Sequence, residues 1–292
     1  MNRAPRHDSH TEQPGGSVAG ARASRADERF AESQGASRRI AQSFGRAAAG
    51  YDEAATVQRR ICDRLSLLAL DHPPPPGAVV DAGCGTGHWL PALRTSFGDR
   101  LLLGVDLALP MLAQLRRRQP DQPCVAADVH ALPLADGSAA AIWSSLCLQW
   151  CRPEAALAEF ARALRPGGVL WLSTLGPGTF AELRTAFAGI DDARHVLEFV
   201  TPERLDAAAA AAGFAISARE RRRHVACAPD LAGLLRAIKA VGAHEVGDDR
   251  RRSLLGRQAW RTVERRFEAY RRADGLVEVG YDALYLILHK RP

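Results

Sequence analysis

From residue 78 onward the apolar positions fall into short runs separated by stretches of helical periodicity. The runs are "AVVDAG" (78–83), "LLLGVDL" (101–107), "PCVAAD" (123–128), "AAIWSSL" (140–146) and "GVLWLSTL" (168–175). Each is too short for a helix and is bounded by turn-forming residues, so each reads as a buried strand. Between them, 88–95, 110–118 and 153–164 carry apolar residues at helical spacing. Pro110 and Pro153 stand where helices begin, since a first-turn proline gives up no intrahelical bond. The segment "LRPGG" (164–168) reads as a helix end and a turn into the next strand. Strands alternating with helices predict an α/β fold around a parallel sheet.

The flanks extend this pattern. Before the sheet, 37–49 and 56–70 read as helices, and the proline run 73–76 stops the second. After the fifth run the helical segments are 179–187, 202–212, 230–241 and 256–271. Two longer extended stretches remain, "FAISARERRRHVAC" (214–227) and "EVGYDALYLILHK" (278–290), spaced like the closing pair of a seven-stranded sheet. Residues 1–36 are polar, small and rich in Gly, Ser and Arg, which predicts a disordered leader without a secretory signal. The expected domain is 37–292: N-terminal helices (37–72), a cofactor-binding half (78–175), then a substrate cap with the closing strands (176–292).

Composition narrows the function classes. The chain has 292 residues, 47% apolar and 25% charged, and no apolar run nears the ~18 residues of a membrane helix. Its six cysteines form no CxxC pair, and Cys147-x-x-x-Cys151 has no neighbouring His to complete a metal set. Buried reduced thiols, no metal and a cytoplasmic location are expected. The net charge is +6, and arginine makes up 37 of the 39 basic residues. The basic groups are Arg219 with Arg221 to Arg223, Arg250 to Arg252, and the Arg257-Arg261-Arg265-Arg266 face. No exposed aromatics interleave them as in a single-strand binder, so no nucleic-acid partner is expected. They read as solvated faces or as a surface for an acidic protein partner.

The stretch "VVDAGCGTGHWL" (79–90) carries the chemistry. A strand, a glycine-rich turn and a helix form a nucleoside or phosphate site in a doubly wound sheet. Dinucleotide binding would require G-x-G-x-x-G, but Gly83, Gly85 and Gly87 are spaced G-x-G-x-G, after Asp81. A second acid, Asp106, ends the next strand about twenty residues on, where a carboxylate can accept both ribose hydroxyls. Asp128 ends the third. This pattern resembles motif I of the class I S-adenosylmethionine-dependent methyltransferases, with a Rossmann-like seven-stranded sheet and a helical cap after strand 5. The resemblance implies S-adenosylmethionine held by Asp81, Gly83, Cys84, Gly85, Gly87, Asp106, Leu107, Asp128, Val129 and Leu146, with Arg46 near the methionine carboxylate.

Longer segments narrow the resemblance. "IAQSFGRAAAGYDEAATVQRRICDRL" (40–65), "SSLCLQWC" (144–151), "STLGPGTFAELRTAF" (173–187), "AVGAHE" (240–245) and the C-terminal "GYDALYLILHK" are similar to the malonyl-[acyl-carrier-protein] O-methyltransferases of biotin synthesis. The family commonly reads "SNLALQW", where this chain has Ser145 and Cys147, and Leu197 stands where an Asn is expected. The resemblance implies methyl transfer to the free carboxylate of malonyl-carrier protein or malonyl-coenzyme A, by a monomer with no membrane partner. A malonyl carboxylate is already ionised and needs no catalytic base. Tyr51, Gln149, Trp150 and Tyr281 are the candidates for positioning it. Another small-molecule O- or C-methyltransferase, such as a quinone type, and a non-methylating relative acting as hydroxylase or assembly factor are the alternatives. A carbon nucleophile would need a base, and His130 and His195 are the nearest candidates.

Overall fold

The computed structural model describes residues 35–242 and 255–292. The leader expected at 1–36 and the arginines at 250–252 lie outside the described residues, apart from the helical positions 35 and 36. Chain contacts separate residues up to Arg38 from a body spanning Arg39–Pro292. Helix α1 covers 35–47, and that body opens with its part from 39 onward. A one-turn α2 (Tyr51–Ala54) and the long α3 (Thr56–Leu70) follow. Next come β1 (Ala78–Ala82), α4 (Leu90–Phe97), β2 (Leu102–Asp106), α5 (Leu109–Arg118), β3 (Cys124–Ala126), β4 (Ala139–Ser145), α6 (Pro153–Ala163) and β5 (Leu164–Leu175). The C-terminal part holds α7 (Ala181–Phe187), α8 (Pro202–Ala211), β6 (Phe214–Ala228), α9 (Leu231–Ala240), α10 (Arg257–Phe267) and β7 (Val277–Lys290).

The seven strands form one sheet in the order β3-β2-β1-β4-β5-β7-β6. The first five are mutually parallel, and β7 runs antiparallel between β5 and β6. Both faces are covered, which is why the inner strands read as continuous apolar runs instead of alternating ones. Alternation is nevertheless present in space. In β7, Tyr281, Ala283, Tyr285 and Ile287 pack on one face, and Leu284, Leu286 and Leu288 on the other. Helix α3 covers the first face through Val57, Ile61, Leu65 and Ala69, an i, i+4 ridge. Trp143 and Trp171 fill the middle of that face, with Phe97 stacked on Trp171 at 4.7 Å.

Two expectations are corrected. "LRPGG" does not precede the strand. Leu164 already pairs with Ala139 and Val169 pairs with Ala141, so Arg165 to Gly168 bulge out within β5. Gly167 takes φ +72° there, and a Cβ on Gly168 would meet the carbonyl of Arg165 at 2.9 Å. The second correction concerns α8, which packs with α6 on the far face of the sheet. Of the described helices after β5, α7, α9 and α10 instead pack on the face that α3 covers.

Candidate active site

The C-terminal ends of β1, β4 and β5 converge, as expected where the strand order reverses on either side of β1. After β1 the chain turns back on β2: the N–H groups of Gly83 and Cys84 donate to the carbonyl of Val105 at 2.8 and 3.0 Å. Gly85 N–H donates to Asp106 Oδ2 and Ala108 N–H to Asp106 Oδ1, both at 2.8 Å. Asp106 therefore fixes the loop with both oxygens. Burial raises its carboxyl, against these N–H bonds. Lone pairs remain on each oxygen for a further donor.

The three glycines differ in what requires them, although all have positive φ. A Cβ on Gly83 would sit 2.6 Å from Cys147 Cβ, and one on Gly87 would sit 2.6 Å from Leu115 Cγ. Protein packing excludes a side chain at those two positions. A Cβ on Gly85 would meet nothing within 4 Å; it would project into the cleft. Only Gly85 is a backbone position left open to a ligand.

Asp81 lines this cleft together with Asp52, Gln58, Cys62 and Trp89. It is 3% exposed, and among the described residues no donor bonds its carboxylate. Burial, then the charge of Asp106, pushes its pKa up to about 8. A buried carboxylate without a cation invites one from a ligand. The sulfonium and ammonium of S-adenosylmethionine answer that need, so the residues present fit this methyl donor. Trp89 Nε1, in the cleft wall, is likewise buried and has no hydrogen-bond partner among the described residues.

A second cavity of about 580 Å³ adjoins the first, and Tyr51, Gln58 and Leu146 line both. Its walls are chiefly apolar, with Phe180, Leu183, Val196, Phe199 and Ile238 among them. Two backbone strains border it. Leu146 has φ +54° and Phe180 has φ +57°, a conformation that costs a residue with a Cβ roughly 1–2 kcal/mol and is concentrated at functional sites. Leu146 is held by its N–H to the Ser173 carbonyl at 2.9 Å and by its own carbonyl, which accepts from Gln149 Nε2 at 2.6 Å. Phe180 is held by its N–H to the Gly280 carbonyl at 2.8 Å, and its ring stands edge-on to Tyr281 at 4.7 Å.

Of the predicted positioning residues, Tyr51, Gln149, Trp150 and Tyr281 all line this cavity. Their polar atoms are used differently. The Gln149 amide is spent within the protein, on Leu146 and on Thr174 Oγ1 at 3.3 Å. Trp150 packs edge-on against Phe44 at 5.4 Å. The hydroxyls of Tyr51 and Tyr281 have no partner among the described residues, and burial raises both phenols. Arg46 is exposed on α1 and lines neither cavity. Leu107 is exposed and Val129 buried. Asp128 accepts from His130, through the backbone N–H at 2.9 Å and from ring Nδ1 at 2.6 Å. His130 Nε2 in turn accepts from Arg152 N–H at 3.1 Å, so both ring nitrogens are engaged within the protein. His195 lines the second cavity, but its Nε2 is tied to Asp191 at 2.7 Å and its ring stacks on Phe187.

Sequence reasoning missed Asp52, Gln58 and Cys62, all from the helices before the sheet. Asp52 accepts from Thr86 Oγ1 of the glycine loop at 2.6 Å and pairs with Arg118. The Cys62 thiol donates to Ser145 Oγ at 3.1 Å, and Ser145 bonds Ser173 at 2.8 Å. That chain occupies the place where the family's Asn is replaced by Ser145, and burial pushes the Cys62 thiol up to about 12. The adjacency of Asp52 to Tyr51 was the one available signal. Among the described residues no group of His, Cys, Asp and Glu could hold a metal ion. No helix among them is long and apolar enough to cross a membrane.

Comparison with known proteins agrees with this geometry. A family model described as a methyltransferase domain matches residues 80–172. Among solved structures, the YcgJ protein of Bacillus subtilis superposes with a TM-score of 0.53 at 14% identity, covering 78% of this chain and 98% of that one. The Bacillus halodurans C-125 protein BH2331 gives 0.56 at 12% identity, covering 79% and 98%. These two show the fold. Much nearer in sequence is the malonyl-[acyl-carrier protein] O-methyltransferase of Dechloromonas aromatica, 45% identical over 254 residues that cover 86% of this chain and 94% of the relative. The enzyme of that name from Laribacter hongkongensis is 41% identical over 261 residues, covering 85% and 87%. At this identity and coverage, with the cofactor loop and adjoining cavity in place, the chain belongs to the malonyl-[acyl-carrier protein] O-methyltransferase family.

Proposed function

We propose that the protein methylates the free carboxylate of a malonyl thioester, carried by acyl-carrier protein or coenzyme A, giving the methyl ester that starts pimeloyl and biotin synthesis. The observation that carries this reading is the junction at Tyr51, Gln58 and Leu146 between the cleft of Asp81 and an apolar cavity lined by two phenols that have no partner among the described residues. When bound, S-adenosylmethionine supplies a methyl group on a sulfonium, and its leaving group is a neutral thioether.

The chain's own part is to bind, align and keep water out. Asp81, Gly85 and Asp106 hold the donor. Tyr51 and Tyr281 donate hydrogen bonds to the substrate carboxylate. As neutral donors they orient it without the strong charge stabilisation that a paired Lys or Arg would give, so its oxygen keeps its nucleophilicity. No proton has to be removed, because the carboxyl is ionised at neutral pH. Opposite charges cancel during transfer, so the dry walls of Leu146, Phe180 and Phe199 favour it over the same reaction in water. Alignment of the two reactants supplies the rest of the acceleration. All six cysteines are free thiols, which suits a reducing cytoplasm. The test is incubation with methyl-labelled S-adenosylmethionine and malonyl-carrier protein. Label in an alkali-labile ester is the expected result, and label elsewhere or none would overturn the reading.

A further inference from the structure

The arginine groups sort by what each side chain does. On β6, Arg219 pairs with Asp206, Arg221 with Asp282, and Arg223 with both Glu182 and Glu278. On α10, Arg266 donates to the carbonyls of Ala186 and Ala188 at 3.2 and 2.7 Å, tying the helix to the end of α7. On α10 that leaves Arg257, Arg261 and Arg265. All three are exposed and make no hydrogen bond or ion pair among the described residues.

Their spacing of four places them on one ridge of α10. Trp260, Val263 and Phe267 form the opposite, core-facing side. Nothing in the helix itself calls for such a ridge. Like charges at i, i+4 destabilise it, and Arg257 sits at its first residue, where the macrodipole disfavours a cation. The helix that carries the ridge packs against an element of the cavity wall. Helix α7, which α10 packs against, places Leu183 in the cavity wall. The segment that Arg266 anchors leads on to Val196 and Leu197 in the same wall, and Lys239 adds an exposed cation there.

We propose that Arg257, Arg261 and Arg265 form the docking surface for an acidic carrier protein that delivers the thioester on a flexible arm. This rests on the function proposed above. An acyl group can enter the cavity only while the body of its carrier stays outside, against the elements that build the wall. A row of cations there meets a row of carboxylates on the carrier and accelerates productive encounter. A coenzyme A thioester has no such body and gains little from the ridge.

The test compares malonyl-carrier protein with malonyl-coenzyme A, using the full chain and a triple variant Arg257→Glu/Arg261→Glu/Arg265→Glu at low salt. The expected result is a rise of roughly tenfold or more in KM for the carrier-protein substrate, shrinking as salt is added, with coenzyme A turnover within about twofold of wild type. Turnover of the coenzyme A substrate also reports that the variant is folded. In a second measurement, apo-carrier protein without its arm should inhibit the wild type and not the variant. An equal change for both substrates, or no change at low salt, overturns the docking surface while leaving the methyltransferase reading intact. No ester from either substrate with the wild type overturns that reading and the docking surface with it.

Discussion

The guanidinium of Arg221 on β6 grips the carboxylate of Asp282 on β7 through two parallel hydrogen bonds of 2.7 and 2.8 Å. The "LGPGT" segment is folded around that carboxylate. Gly178 N–H donates to it at 2.9 Å, Gly176 N–H donates to the Asp282 carbonyl at 2.7 Å, and Asp282 N–H donates to Thr179 Oγ1 at 3.0 Å. A Cβ on Gly176 or Gly178 would come within 2.8 Å of Asp282 Oδ2. The segment ends at the strained Phe180, which packs on Tyr281, so Arg221 sets the shape of the substrate wall from outside the cavity.

The first prediction follows from that geometry. Arg221→Ala leaves Asp282, 8% exposed, with one N–H donor, which costs roughly 1–3 kcal/mol. We expect a lower melting temperature and a raised KM for the malonyl substrate, with S-adenosylmethionine affinity unchanged. Lys at 221 should restore only part of the loss, since it cannot make the bidentate pair. Burial pushes the Asp282 carboxyl up, but Arg221 and the Gly178 N–H outweigh it and hold the pKa below its ordinary value. The resulting stability is present above the unfolded value near 3.8 and is lost as pH falls through the folded one. Asp282→Asn should therefore flatten the acid limb of the stability curve. An unaltered acid limb would remove this role from Asp282.

A second prediction separates the glycines of the cofactor loop. Gly83→Ala and Gly87→Ala force a Cβ against Cys147 and Leu115, so both should lower the melting temperature of the ligand-free protein. Gly85→Ala meets open space and carries only the left-handed strain, about 1–2 kcal/mol. Its larger effect should be on S-adenosylmethionine affinity, read by calorimetry. Equal stability losses at all three positions, with equal affinities, would defeat this division.

The sheet was legible because its strands are bounded by Gly, Pro and Asp and its helices carry apolar ridges, both local properties. The glycine loop pointed to the methyl donor through its spacing after a strand, together with the acids Asp106 and Asp128 that end the next two predicted strands. The reason for each glycine was not legible, because Cys147 and Leu115 reach Gly83 and Gly87 only once β1 pairs with β4 and α5 packs on β2. Gln149 illustrates the same limit. Its residue type suggests a substrate ligand, yet its amide is used to hold Leu146 in the left-handed conformation. The arginines of β6 read as a solvated face because their partners Asp206, Glu182 and Asp282 are distant in sequence.

A third prediction concerns Asp81 and pH. Its folded pKa, near 8, lies above the unfolded value near 3.8. Between those values the folded state holds a proton that the unfolded chain has released, so the contribution of Asp81 to stability falls as pH rises from about 4 to 8. Relative to Asp81→Asn, ligand-free wild type should lose up to about 1.4 kcal/mol per pH unit across that window. Cofactor affinity should run the other way, strengthening as pH approaches 8, because the ionised carboxylate is the form that binds a cation. Parallel pH profiles for wild type and Asn variant, in both denaturation and calorimetry, would remove Asp81 from the cofactor site.

The last prediction tests the two phenols. Burial raises Tyr51, helped by the nearby Asp106 carboxylate, and burial alone raises Tyr281. Both stay protonated throughout the working range, so each keeps an O–H to donate to a carboxylate. Tyr51→Phe and Tyr281→Phe each remove one O–H donor to a carboxylate and keep the ring, so each should weaken kcat/KM by about 1.5–3 kcal/mol, the range for a hydrogen bond to a charged group. The double variant should lose less than the sum of the single losses, because both phenols bind one carboxylate and neither holds it well alone. The pH–rate profile of the wild type should show no phenol ionisation on its alkaline side up to about pH 10, the ordinary tyrosine value. Tyr51 lies at the junction with the cofactor cleft, so its Phe variant should also shift S-adenosylmethionine affinity slightly, whereas Tyr281→Phe should not. If either Phe variant keeps wild-type kcat/KM, that hydroxyl does not touch the reacting carboxylate, and its ring serves only as cavity wall.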